Sequence, residues 1–119
     1  MSTINYHGKR FRSLQTSVSG DVGQDTVFHY YQDGTIVWAD YAGGSVKRGS
    51  LIAVVDAAGN LDMRYQHVDH LDRLKTGVCR STPERTAAGR LRLHETWQWT
   101  CGDEATGQSV IEEIPKGLP

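Results

Sequence analysis

TVFHYYQDGTIVWADY, residues 26–41, sets two alternating, aromatic-rich runs on either side of Asp33-Gly34. An Asp-Gly pair accepts the positive φ that a type I′ turn demands at its centre, so the stretch predicts a tight hairpin with Gln32 opposite Thr35. Cross-strand partners point to one face of a sheet, so side-chain direction can be carried from strand to strand once this first register is set. Phe28 and Tyr30 then share a face with Val37 and Ala39.

Working outward, further strand-like runs fall at residues 8–16, 46–56, 61–68, 73–82, 90–101 and 108–114. Ala42-Gly43-Gly44-Ser45, Ala57-Ala58-Gly59-Asn60 and the segment from Asp69 to Asp72 read as turns, and the polar stretch 83–89 as a longer connection. No long amphipathic helix pattern interrupts the series. Links this short make an antiparallel meander, and about eight strands in one small domain are best stabilised by closing into a barrel that has no edges. The expected fold is all-β: one antiparallel up-and-down β-barrel over residues 1–119, lipocalin-like in plan, with 1–7 and 115–119 as loosely ordered tails. A two-sheet sandwich is the alternative architecture, and it needs longer crossing connections.

Composition excludes several classes of partner. The formal charge is −1 and the lysines and arginines are scattered, which leaves no footprint for nucleic acid or anionic lipid. No apolar run approaches the ~20 residues of a membrane helix, and residues 1–12 lack the apolar core of a signal peptide. A cytoplasmic protein is expected, with no nucleic acid and no membrane among its partners. Cys79 and Cys101 fall at opposite ends of a predicted strand pair and read as reduced thiols. His7, His29, His67, His70 and His94 show no metal-ligand spacing. Without a P-loop, a dinucleotide fingerprint or a GxSxG elbow, neither metal nor organic cofactor is expected.

Carried onward, the interior face takes Val46, Arg48, Ser50, Ile52 and Val54 if Ala42 lies opposite Ser45. It continues as Met63, Tyr65 and His67 with Asp56 opposite Leu61, and as Leu74, Thr76 and Val78 with Val68 opposite Arg73. Leu91, Leu93, Glu95, Trp97 and Trp99 join it by apolar alternation. A carboxylate between Leu93 and Trp97 costs several kcal/mol unless it is protonated, paired or wet. Glu95 and His67 therefore read as a proton-transfer pair assisted by Tyr65, with Tyr30, Arg48, Ser50, Met63, Trp97 and Trp99 as substrate-binding residues. A buried Glu95–Arg48 pair beside a hydrogen-bonded His67 is the alternative. Ser50 opposite His67 resembles a nucleophile and base, with no acid placed to orient the histidine. A one-residue slip would instead turn Arg64, Gln66, His94 and Gln98 into the pocket.

His29, Tyr31, Trp38 and Leu51 fall on the outer face, where so much apolar surface predicts a homodimer interface, with a surface ligand groove as the alternative. The expected function is binding of a hydrophobic small molecule in an aromatic-lined interior. The protein is then either a cofactor-independent acid–base cyclase, isomerase or dehydratase, or a non-catalytic carrier.

The runs FHYYQDGTIVWADYAGGSV (28–46), GNLDMRYQHV (59–68) and RLRLHETWQWTCGD (90–103) resemble a family of small bacterial proteins that often carry the label N-acetylglutamate synthase. The resemblance spans residues 8–114 and implies a compact β protein. Acetyl transfer on the usual scaffold takes a Gly-rich loop opening a helix onto the coenzyme pyrophosphate. Neither is present in the sequence, so acetyltransferase activity is not expected.

Overall fold

Each strand turns back on its predecessor and the last closes onto the first in the computed structural model, which describes residues 4–16 and 21–116. The strands are β1 (Arg10–Thr16), β2 (Val27–Asp33), β3 (Ile36–Gly43), β4 (Val46–Val55), β5 (Leu61–Asp69), β6 (Leu74–Arg85), β7 (Leu91–Trp99) and β8 (Thr106–Ile114). This is the expected all-β, closed, antiparallel up-and-down barrel, and the described residues contain no helix. Among the described residues no helix is long and apolar enough to cross a membrane.

The registers differ from expectation in an instructive way. The β2–β3 turn sits on Gly34-Thr35 with Asp33 opposite Ile36, and Gly34 takes a φ of 62°. Positive φ at the first central residue alone is the type II′ geometry, which glycine accepts without strain. The shift moves every pair by two residues, so Phe28, Tyr30, Val37 and Ala39 still face inward, joined by Tyr41.

Irregular pairing between Tyr41 and Gly43, and between Val46 and Arg48, then inverts β4. Leu51, Ala53 and Val55 are buried, whereas Arg48, Ile52 and Val54 are exposed and Ser50 is half-buried on the outside. An extra residue in one strand exchanges its two faces, and this bulge corrects the expectation for all of these residues. The next turn exchanges them again. Asp56 pairs with Asn60 around a three-residue loop in which Gly59 has a φ of 88°, so Met63 and His67 return to the interior. A similar loop from Asp69 to Arg73 places Asp72 at a φ of 62° and inverts β6. Cys79 and Ser81 are buried there, Leu74 is exposed, and Thr76 and Val78 lie with it on the outer side.

The turns β2–β3, β4–β5 and β6–β7 share one end of the barrel. It is filled by Phe11, Val37, Leu61, Leu91, Leu93 and Ile111, each 0% exposed. Tyr6 belongs to the stretch 1–7 expected as a tail, yet it is fully buried, and its hydroxyl donates to the Gly59 carbonyl at 2.6 Å. It closes this end as a plug.

Outside, Trp38 lies opposite Ile52 and Ile36 opposite Val54, all exposed, with Tyr31 stacked on Trp38 at 5.8 Å between ring centroids. His29 is exposed on the same side of β2. Leu51 does not belong to this face, because the bulge carries it inside. Cys79 and Cys101 are both free thiols.

Candidate functional site

Glycines in the strands make the room that the interior aromatics fill. Gly49 lies between Tyr41 on β3 and His67 on β5, Gly77 between Tyr65 and Trp99, and Gly107 opposite Trp97. A Cβ at Gly49 would overlap the Tyr41 ring, one at Gly77 the Tyr65 ring, and one at Gly107 the Trp97 indole. A strand glycine here marks a place where a ring lies across bare backbone. The rings that frame the second end of the barrel are thus set by the residues opposite them.

The resulting cavity, of about 50 Å³, is walled by Phe28, Tyr41, Leu51, Met63, Tyr65, Trp97 and Trp99. Glu95 and Ser109 contribute polar atoms at its inner limit, and His67, Asp21 and Val22 contribute at its outer limit. Glu95 is 9% exposed and meets no cation among the described residues: Oε2 accepts from the Ser81 hydroxyl at 2.7 Å and Oε1 from Ser109 at 3.2 Å. Burial pushes its carboxyl up to about 7, against the downward pull of the two serines. The nearby Cys79 thiol and the Tyr30, Tyr41 and Tyr65 hydroxyls are raised by burial as well, so all four stay protonated at neutral pH. The Tyr30 hydroxyl is fully buried and has no hydrogen-bond partner among the described residues.

His67 is 2% exposed and held at both ring nitrogens. Nδ1 lies 2.9 Å from the Tyr41 hydroxyl and Nε2 3.0 Å from Asp21 Oδ2. A proton on Nε2 is donated to the Asp21 carboxylate, and the Tyr41 hydroxyl at Nδ1 also lies 3.3 Å from the Gln66 carbonyl oxygen. Asp21 also accepts from Lys75 Nζ at 2.9 Å. Its own burial would raise its carboxyl, but the bonds from His67 and Lys75 outweigh this and hold it below the usual range. Lys75 reaches Asp69 at 3.4 Å and stands 5.3 Å over the Trp99 ring.

Six of the residues expected in the site therefore surround one cavity or its immediate core: Glu95, His67, Tyr65, Met63, Trp97 and Trp99 line it directly. Tyr30 lies in the core beside it, with its ring 6.5 Å from Phe28. Arg48 and Ser50 are excluded by the β4 bulge. The cross-strand partner of His67 is Gly49, while Ser50 pairs with Gln66 on the outside and can be neither its nucleophile nor a substrate contact in the cavity. The buried Glu95–Arg48 pair is likewise ruled out. Asp21, Tyr41, Cys79, Ser81 and Ser109 were missed by sequence reasoning. Tyr41 continues the alternation of Val37 and Ala39 and was legible, as was the glycine opposite each pocket ring; Asp21 lies in a connection without any periodicity.

An eight-stranded antiparallel barrel with an aromatic pocket at one end and a packed core at the other is the architecture of a small ligand-enclosing barrel. Residues 4–114 match the family model of avidin-like proteins, and the chain belongs to that family. The labelling as N-acetylglutamate synthase gains no support from this match. No curated protein and no solved structure matches the chain.

Proposed function

We propose that the protein binds a small, largely apolar molecule in the pocket between Glu95 and the His67–Asp21 pair. The observation that carries this reading is a buried carboxyl with no countercharge among the described residues, set among aromatic walls that leave a cavity beside it. A group that only held the fold would be cheaper as an apolar residue, whereas a ligand gives Glu95 a partner. Small-molecule binding is also the property of the avidin-like barrel family. Native mass spectrometry of the purified protein, followed by calorimetry with the molecules it carries or with a screening set, tests the reading. Binding should weaken at least about tenfold in Trp97→Ala, because loss of an anchoring ring at a hot spot costs more than about 1.4 kcal/mol. Affinity unchanged by that substitution would place the ligand elsewhere.

Catalysis is the second reading, favoured by a carboxyl with a pKa of about 7, where a general acid or base works best. Glu95 would move the proton, with His67 and Tyr65 as its partners. With a substrate in hand, Glu95→Gln should lower turnover by about 10² to 10⁴ while leaving affinity within about tenfold.

The outer face of Tyr31, Trp38, Ile36, Ile52 and Val54 is proposed as a homodimer contact, supported by its exposed apolar side chains. Trp38→Lys should shift the sedimentation of a dimer toward monomer, and a monomeric parent would refute the contact. A cytoplasmic location is supported by the two free thiols.

A further inference from the structure

We propose that the ligand is an organic cation, its ammonium group caged by Trp97, Trp99 and Tyr65 and neutralised by Glu95. This rests on the pocket reading above and adds the charge of the ligand to it.

The first support is a deficit of charge. Both Glu95 oxygens are met by serine hydroxyls, and among the described residues no lysine or arginine lines the cavity. The Lys75 ammonium beside Trp99 is committed to Asp21 and Asp69. Hydroxyls stabilise a buried carboxylate only in part, and a cation brought in by a ligand completes the pair.

The second support is the shape of the wall. Trp97 and Trp99 lie 5.7 Å apart with their planes at 59°, and Tyr65 and Trp99 5.6 Å apart at 64°. Rings packed at such angles turn differently oriented surfaces toward the cavity that all three line, and the faces of tryptophan and tyrosine attract cations that have left water. One cation already stands at this wall, the Lys75 ammonium 5.3 Å from the centre of the Trp99 ring.

The linkage to pH follows from the groups around Glu95. Ser81 and Ser109 do not titrate, and burial keeps Cys79, Tyr6, Tyr30, Tyr41 and Tyr65 protonated near neutrality. His67 with Asp21 and Lys75 forms a separate bonded set at the other limit of the cavity. A cation binds the ionised carboxyl, so its affinity should be level above about pH 7 and fall roughly tenfold per unit below it. A neutral ligand accepting a hydrogen bond from the protonated carboxyl would show the opposite slope.

Calorimetric titration of the full chain with choline and with its neutral isostere 3,3-dimethylbutan-1-ol, from about pH 5.5 to 8.5, decides the matter. Choline should bind at least about tenfold tighter than the alcohol at the upper end, lose affinity below neutrality, and lose both preference and slope in Glu95→Gln. Equal affinities, an inverted slope, or no binding of choline at the upper end would overturn the proposal. If Glu95→Gln does not fold, the slope and the preference of the wild-type protein decide by themselves. Alcohol that binds as well as choline, and is lost in Trp97→Ala, would overturn the cation while leaving the pocket reading intact.

Discussion

The two ends of the barrel are built from the same eight strands and filled on opposite terms. Along β7, Leu91 and Leu93 are wholly buried in the plugged end, while Glu95, Trp97 and Trp99 continue the same row into a cavity. At the plugged end apolar side chains meet one another and Tyr6 covers them; at the pocket end rings lie over glycine and a carboxyl has only serine hydroxyls as partners among the described residues. Stability is concentrated in the first region and withheld from the second, where polar burial and unfilled space oppose folding. That division is expected where a site must stay open to a ligand.

The sharpest way to break this contrast is to truncate the plugged end. Leu93→Ala should cost about 3 to 5 kcal/mol in denaturant unfolding, as lost burial and residual cavity add. A cost below about 1 kcal/mol would mean that this end does not hold the barrel together.

The second test acts on the pocket end through pH. Folded Glu95 keeps its proton to about pH 7, whereas the ordinary value is 4.5. Between those values the folded protein binds more protons than the unfolded chain, so stability falls as pH rises through that window and levels off above it. The difference is worth about 3 kcal/mol. Glu95→Gln should remove the decline and be the more stable form above neutrality, as measured by urea midpoints across pH. Asp21 and Asp69 act with the opposite sign. Their bonded carboxyls are depressed, so the stability they contribute disappears only as pH falls further into acid.

A third and smaller effect is steric. Gly77→Ala places a methyl group against the Tyr65 ring, which must turn or push its strand away. Overpacking of this kind costs about 1 to 3 kcal/mol. Ligand affinity should fall along with stability, because the displaced ring is a wall of the cavity. Loss of stability with affinity intact would show that Tyr65 is not part of the binding surface.

The inversions at β4 and β6 show why the barrel was legible in the sequence and part of its site was not. Alternation and turn residues gave the strand order, and on β7 the apolar set named Leu91, Leu93, Glu95, Trp97 and Trp99 without help from any neighbour. Arg48 and Ser50 depended on a register carried through Ala42 to Ser45, where a bulge adds one residue that no alternation announces. Met63, Tyr65 and His67 came out correctly only because a second one-residue error, at Gly59, cancelled the first. That error was avoidable: DAAGN and TAAGR carry glycine where a three-residue hairpin needs positive φ. DHLDR puts Asp72 at the equivalent place, a weaker signal, and β6 was inverted as a result. Ser109 faces Glu95 directly across the β7–β8 hairpin, whereas Asp21 reaches His67 and Lys75 from the connection between β1 and β2, which no local pattern encodes.

The smallest effect tests whether the two ends are independent. Tyr6→Phe keeps the ring that covers the core and removes only the hydroxyl donated to the Gly59 carbonyl. Loss of one buried hydrogen bond should lower stability by about 1 kcal/mol. Tyr6 lies apart from the cavity wall, so ligand affinity and the Glu95-dependent pH profile should be unchanged. Yet the Tyr6 hydroxyl feels the charge on Glu95 through the core, which helps to raise its own pKa. If the substitution moves the pH profile as well as the stability, plug and pocket share one electrostatic interior. The division of the barrel into a holding end and a binding end would then describe its packing but not its charge.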